Sequence, residues 1–200
     1  MNKVLTMHGL VNKAIEAFVA DTYGTDAWRI IAAAAELEEA SFESMMVYEA
    51  DITPRVIACA TQVLKVDQAD FLQNLGTYLV AQPTQRAVRR LLRFGGVDFV
   101  DFLYSIDDLH DRARLAVSDL NLPTLELREH TLNQFSLTVR SDVEGFGHVL
   151  IGLLTAMADD YGALVMLEYG GRQANVETIG IALLEKAFAS GNRFDLGARA

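Results

Sequence analysis

The hydrophobic period of this chain changes once, near Pro123. Before it, apolar residues recur three or four apart, the spacing that builds one buried face of a helix. After it, Leu125 and Leu127, then Phe135, Leu137 and Val139, alternate with polar residues, with "EHTLN" as the turn between two half-buried antiparallel strands. Neither an all-helical bundle nor an all-β sandwich accommodates both patterns. The pattern predicts an α+β fold, a helical N-terminal part packed on a C-terminal part whose antiparallel sheet carries an inserted helix.

Helices are predicted over 7–22, where Tyr23-Gly24 stops the run, and from Thr25 to about Glu39 around Trp28. A third opens in "DITPRVIACATQVL", with Asp51 or Thr53 as N-cap and Pro54 at the first helical position. "DQADFLQNLGTYLV" and "TQRAVRRLLRF" read as two more, separated at Gln82-Pro83, and Gly95-Gly96 punctuates before another. "GHVLIGLLTAMADDYG" is too long an apolar run for a strand, so a helix is expected over about 145–160. "ALVMLEY", a turn at "GGRQ" and "VETIGIALL" then form a second hairpin. One domain over 7–190 is expected, with a helical subdomain over about 7–60, an α+β part over about 61–190, and short extensions at 1–6 and 191–200.

The 200 residues are 51% apolar, enough to bury a core without covalent staples. A net charge of −10 argues against nucleic-acid binding, which requires clustered Lys and Arg. No apolar run approaches a membrane span or a signal peptide, so a cytoplasmic location is expected. The single cysteine, Cys59, excludes an internal disulfide and reads as a small buried hydrophobe. No Walker loop, G-x-G-x-x-G, G-x-S-x-G elbow or pair of histidines at zinc spacing is present, and nothing marks an enzyme. An acidic face formed by Glu36, Glu38, Glu39 and Glu43 leaves open a role as a plain interaction protein.

In "FLYSIDDLHDRAR", Phe99, Phe102, Leu103, Ile106, His110 and Ala113 fall on one helical stripe. On spacing alone His110 is a hydrogen-bonded core residue. Haem, however, needs only one axial imidazole from the protein and an apolar slot for the macrocycle, and would leave no ligand cluster in a sequence.

Longer stretches carry a resemblance. "MHGLVNKAIEAFVADTYGTDAW" resembles the opening M-x-G-x-V-N-x-A-x-E…Y-G…W of the haem-nitric oxide/oxygen binding (H-NOX) family, which includes the N-terminal domain of the soluble guanylate cyclase β subunit. "FLYSIDDLHD" resembles its F-L-x-x-L-D-x-L-H segment, and "GFGHVLIGLL" its G-L-x-x-x-V-I-G-L-L helix. The resemblance implies haem b bound through His110, with Pro123 pressing on the porphyrin. It also implies nitric oxide, or CO, bound opposite His110, weakening the His110 bond and shifting the helical part against the α+β part. Val149 falls where oxygen-binding members place a distal Tyr, so O₂ is disfavoured. The resemblance further implies output to a separate protein, a histidine kinase or a cyclic-dinucleotide enzyme. One motif departs: Y-x-S-x-R, whose side chains hold the haem propionates, reads Val139-Arg-Ser-Asp-Val143 here and keeps only Ser141. Each lost charge-assisted contact is worth about 1.5–3 kcal/mol, so losing two weakens haem binding roughly 10²–10⁴-fold. Arg112, Arg114, Arg128 and Arg140 are candidate substitutes. A haem-free regulatory or apolar-ligand module of the same fold is the alternative.

Overall fold

The computed structural model describes residues 6–82, 86–118, 120 and 122–192. The predicted break at Pro83, the start of the leading extension and most of the tail lie outside them. The chain divides into two compact units: one runs to Phe71 and includes Leu120, and the other takes in the rest from Leu72.

In the first unit a short strand, β1 (Thr6–His8), leads directly into α1 (Gly9–Tyr23). His8 ends the extended segment and caps the helix, its Nδ1 accepting from the Leu10 N–H at 3.1 Å. α2 (Thr25–Ala34) is shorter than predicted: the chain turns at Ala35 and Glu36 takes a left-handed φ of 51°. Glu36, Glu38, Glu39 and Glu43 therefore lie in a connecting segment and not on a helix face. That segment is held back onto α1 by the Glu16 carboxylate, which accepts from the Phe42 N–H at 2.8 Å, and onto α2 by Trp28, whose Nε1 donates to the Ala40 carbonyl at 2.6 Å. It leads to β2 (Val47–Glu49), which pairs antiparallel with β1 and was not legible in the hydrophobic pattern. α3 (Ile52–Leu64) begins two residues earlier than predicted. Asp51 flanks it without a side-chain cap, and Thr53 instead donates through Oγ1 to Asn12 Oδ1 at 2.6 Å inside the core. Cys59 on this helix is half-buried.

The second unit receives most of α4 (Gln68–Ala81), then α5 (Arg86–Arg93) and the stretch that contains His110. That stretch is not one helix. α6 (Phe99–Tyr104), a 3₁₀ turn (Ile106–Asp108) and α7 (Leu109–Ala116) follow one another, yet the predicted stripe survives: Phe99, Phe102, Leu103, Ile106 and Ala113 are all buried. β3 (Thr124–Thr131) and β4 (Gln134–Arg140) form the first hairpin. α8 (Phe146–Tyr161) follows, then β5 (Leu164–Gln173) and β6 (Val176–Glu185). The four strands make one antiparallel sheet in the order β3-β4-β6-β5. Its inner face, with Leu125, Leu137, Val139, Ile179 and Ile181, joins Phe102, Leu103, Ile106, Leu154 and Met157 in one continuous core. Each fully buried side chain of this size contributes about 1.5–3 kcal/mol.

α4 and α8 approach without side chains between them. A Cβ at Gly76 would fall on the Val149 carbonyl oxygen, and one at Gly152 on the Gln73 carbonyl oxygen. At the far end of α8, buried Asp160 pairs with Arg89 at 2.7 Å and Arg93 at 3.4 Å. The Arg93 guanidinium also lies 4.0 Å over the Tyr161 ring.

Candidate functional site

His110 stands on the first turn of α7 and is half-buried. Its Nδ1 lies 2.9 Å from the Leu122 carbonyl oxygen. A carbonyl can only accept, so the proton is on Nδ1 and Nε2 keeps its lone pair in the neutral ring. The next residue, Pro123, is buried and leads into β3. The structure thus brings His110 and Pro123 together through Leu122.

Ser141 and Val149 are placed by other elements. Ser141 follows β4; its N–H donates to the Asn175 carbonyl at 2.9 Å and its Oγ accepts from the Val143 N–H at 3.0 Å. Val149, on the first turns of α8, is half-buried, with its backbone carbonyl against Gly76. Val139 is completely buried on β4, directly opposite Leu125 on one side and Glu177 on the other.

Glu177 is the residue that hydrophobic patterning missed. Its carboxylate is 1% exposed and sits in the inward phase of β6, which otherwise carries Ile179, Ile181 and Leu183. Oε1 accepts from the Gly145 N–H at 2.9 Å and Oε2 from the Gly147 N–H at 2.7 Å, so it caps the positive end of α8. The Tyr169 hydroxyl donates to Oε1 at 3.1 Å, and Arg172 Nη1 lies 3.7 Å from the same oxygen. Burial, then the Glu177 charge and hydrogen bond, push the Tyr169 phenol up to about 12, which keeps it a donor. The His148 ring stacks on Tyr169 with centroids 4.1 Å apart.

Arg172 reaches this point because the second hairpin turns later than predicted. Gly170-Gly171 is not the turn but a bulge within β5: Tyr169 pairs with Ile179, the register shifts, and Arg172 pairs with Glu177. Gly171 has φ 91°, a conformation that costs glycine little. The turn itself falls at Ala174-Asn175. From there Arg172 donates weakly to the Ser141 and Val143 carbonyls, at 3.4 and 3.5 Å.

Three of the four arginines expected as substitutes are engaged elsewhere, and the fourth is exposed. Arg112 donates to the Ser105 carbonyl at 2.8 Å, and exposed Arg114 to the Ser118 carbonyl at 3.4 Å. Arg128 pairs with Glu126 at 3.7 Å on the surface, and Arg140 is exposed.

The second unit is thus a histidine-bearing helix against a proline-led antiparallel sheet with an inserted helix. The family profile described as haem-NO-binding matches residues 8–169, and the chain belongs to that family, H-NOX. H-NOX domains generally bind haem and sense gases. The chain is 27% identical over 164 residues to soluble guanylate cyclase 89Da of Drosophila melanogaster and 25% identical over 164 residues to 89Db of the same organism, covering 82% of this chain in each case. It spans 24% of the length of each, and matches only their sensor portion. Among solved structures, the Fe(II) unliganded H-NOX protein from K. algicida superposes with a TM-score of 0.76 at 21% identity, covering 90% of this chain and 97% of that one. The S. oneidensis H-NOX protein in the Fe(II)NO state gives 0.73 at 18% identity, covering 90% and 100%. The fold is that of H-NOX domains.

The chain's residues would suit haem iron at His110 and would not suit its propionates. His110 offers an oriented Nε2 lone pair. The positions that resemblance assigns to a Tyr and an Arg hold valines, and beside Val139 stands a buried carboxylate, which repels a second anion. No helix among the described residues is long and apolar enough to cross a membrane.

Proposed function

We propose that this chain is a haem-based sensor of nitric oxide in which His110 would be the one side chain that holds the iron. The observation that carries this reading is the bond from His110 Nδ1–H to the Leu122 carbonyl. A backbone carbonyl on the far nitrogen is the usual second partner of a metal-ligating imidazole; it fixes the tautomer and the ring plane and makes Nε2 more basic. Haem, when bound, supplies the iron that takes the diatomic ligand. His110 would hold that iron through Nε2, Leu122 fixes His110 through its carbonyl, and buried Pro123 would border the macrocycle. Val149 carries no hydrogen-bond donor, which favours nitric oxide or CO over O₂. Output passes to another protein or domain, with a histidine kinase or a cyclic-dinucleotide enzyme as the partner classes that resemblance suggests.

The test is the Soret band of protein expressed with haem available. The band is expected in the wild type, lost in His110→Ala and recovered when imidazole is added. A folded, colourless protein that also refuses added haemin overturns the reading. That outcome would favour a haem-free regulatory module of the same fold, the second reading, which the buried Val139–Glu177 pair supports.

A further inference from the structure

Tyr169, Arg172 and the first amides of α8 converge on one carboxylate, and that carboxylate belongs to the chain itself. The donors are a phenol and two backbone N–H groups, with a guanidinium as ion-pair partner at 3.7 Å, a set suited to a carboxylate. In the family motif a Tyr and an Arg of one strand hold the haem propionates. Here both are gone from β4, while a Tyr and an Arg of β5 stand across the sheet around Glu177, with Ser141 and Val143 linked to Arg172 through their carbonyls. Arg172 and Glu177 lie beyond residue 169, where the family match ends. The arrangement is specific in its geometry. The bulge at Gly170-Gly171 is what sets Arg172 opposite Glu177, and Gly147 leaves room for the clamp, since a Cβ there would lie 2.9 Å from the Tyr169 ring and 3.3 Å from Glu177 Oε2.

We propose that Glu177 supplies from within the chain the carboxylate that relatives take from a haem propionate. The clamp is filled before any cofactor arrives, so the turn at Ser141–Val143 and the start of α8 are ordered without haem. Resting on the reading of His110 as the axial ligand, it follows that haem docks with its propionates unheld at this end.

Two measurements test this, and only the second depends on haem. Glu177→Ala removes one methylene and a carboxylate, the atoms of acetate. In the haem-free full chain it is expected to lower Tm by about 10 °C, and sodium acetate, against equal sodium chloride, to return about 4 °C at ten times its Kd. Glu177→Gln, whose amide group would face N–H donors, is expected to be destabilised and not to respond to acetate. A Glu177→Ala protein as stable as wild type, or one that acetate does not help, overturns the filled clamp. The second measurement compares haem with haem dimethyl ester, whose propionates are neutral. Wild type is expected to bind the two within about threefold, because no charge-assisted contact distinguishes them. A preference of tenfold or more for haem overturns the proposal without any variant being needed. Refusal of both haems overturns only the reading of His110, and leaves the acetate result to decide the clamp.

Discussion

Asn12 and Glu177 are polar side chains on the buried phases of their elements, where an unpartnered group costs several kcal/mol. Each is completely or almost completely buried: Asn12 accepts from Thr53 through Oδ1 while its Nδ2 has no hydrogen-bond partner among the described residues, and Glu177 accepts from two amides and a phenol. The other motif residues of the opening helix act in the same local way. Gly9 has no room for a Cβ beneath the Glu43 and Met46 carbonyls, and Glu16 holds the Phe42 amide. His110 differs, because its partner occupies one nitrogen and leaves the other available. Val149 is the other residue of the proposed site with a readable consequence. Reconstituted wild type is expected to form no stable oxy complex. Val149→Tyr places a hydroxyl donor there, and one such bond slows O₂ dissociation roughly tenfold. Stopped-flow mixing with O₂ checks both, and a stable wild-type oxy complex would sink the selectivity argument.

Among the elements, the interruption between α6 and α7 is set by side chains that compete for backbone groups. Ser105 Oγ donates to the Phe102 carbonyl, and Arg112 reaches back to the Ser105 carbonyl, which a continuous helix would use internally. The 3₁₀ turn that results keeps the apolar stripe inward while seating His110 at its edge. α4 and α8 illustrate the opposite limit, backbone against backbone. Gly152→Ala is expected to cost about 1–3 kcal/mol by overpacking, lowering Tm by roughly 3–10 °C. Thermal denaturation followed by circular dichroism measures it. A neutral result would mean that the two helices can separate freely.

For the molecule as a whole, the raised phenols set an alkaline limit. Tyr169 is held protonated to about 12 by burial and by Glu177, and burial also raises Tyr161. The unfolded chain releases a tyrosine proton near pH 10, while the folded chain keeps the Tyr169 proton to about 12. Between those values the folded state binds more protons, so stability is full below pH 10 and falls as pH rises toward 12. Urea midpoints from pH 9 to 12 are expected to decline less steeply in Tyr169→Phe than in wild type. Equal slopes would remove Tyr169 from the account.

Periodicity alone determined the α+β class, most helices, both hairpins and the inward face of each strand, because alternation and helical spacing are local properties. It also put His110 in line with the apolar stripe, where the fold leaves it half-buried at the edge, and the family resemblance, not periodicity, exposed the loss of Tyr and Arg around Ser141. It overextended α2, because helix propensity through "AAAAELEE" outweighed a stop made by the Glu36 turn and by Trp28 and Glu16 bonds to distant backbone. It put the last turn at "GGRQ" (170–173), since a bulge and a turn both favour glycine, whereas the turn falls at Ala174-Asn175. A glutamate on the buried phase of β6 was the signal available for the clamp, and a sequence cannot say what neutralises it. Which nitrogen of His110 is free, and which carboxylate fills the pocket beside Val139, depend on groups far apart in the chain. Only the packed fold brings Leu122 to one and Tyr169, Arg172 and the α8 amides to the other.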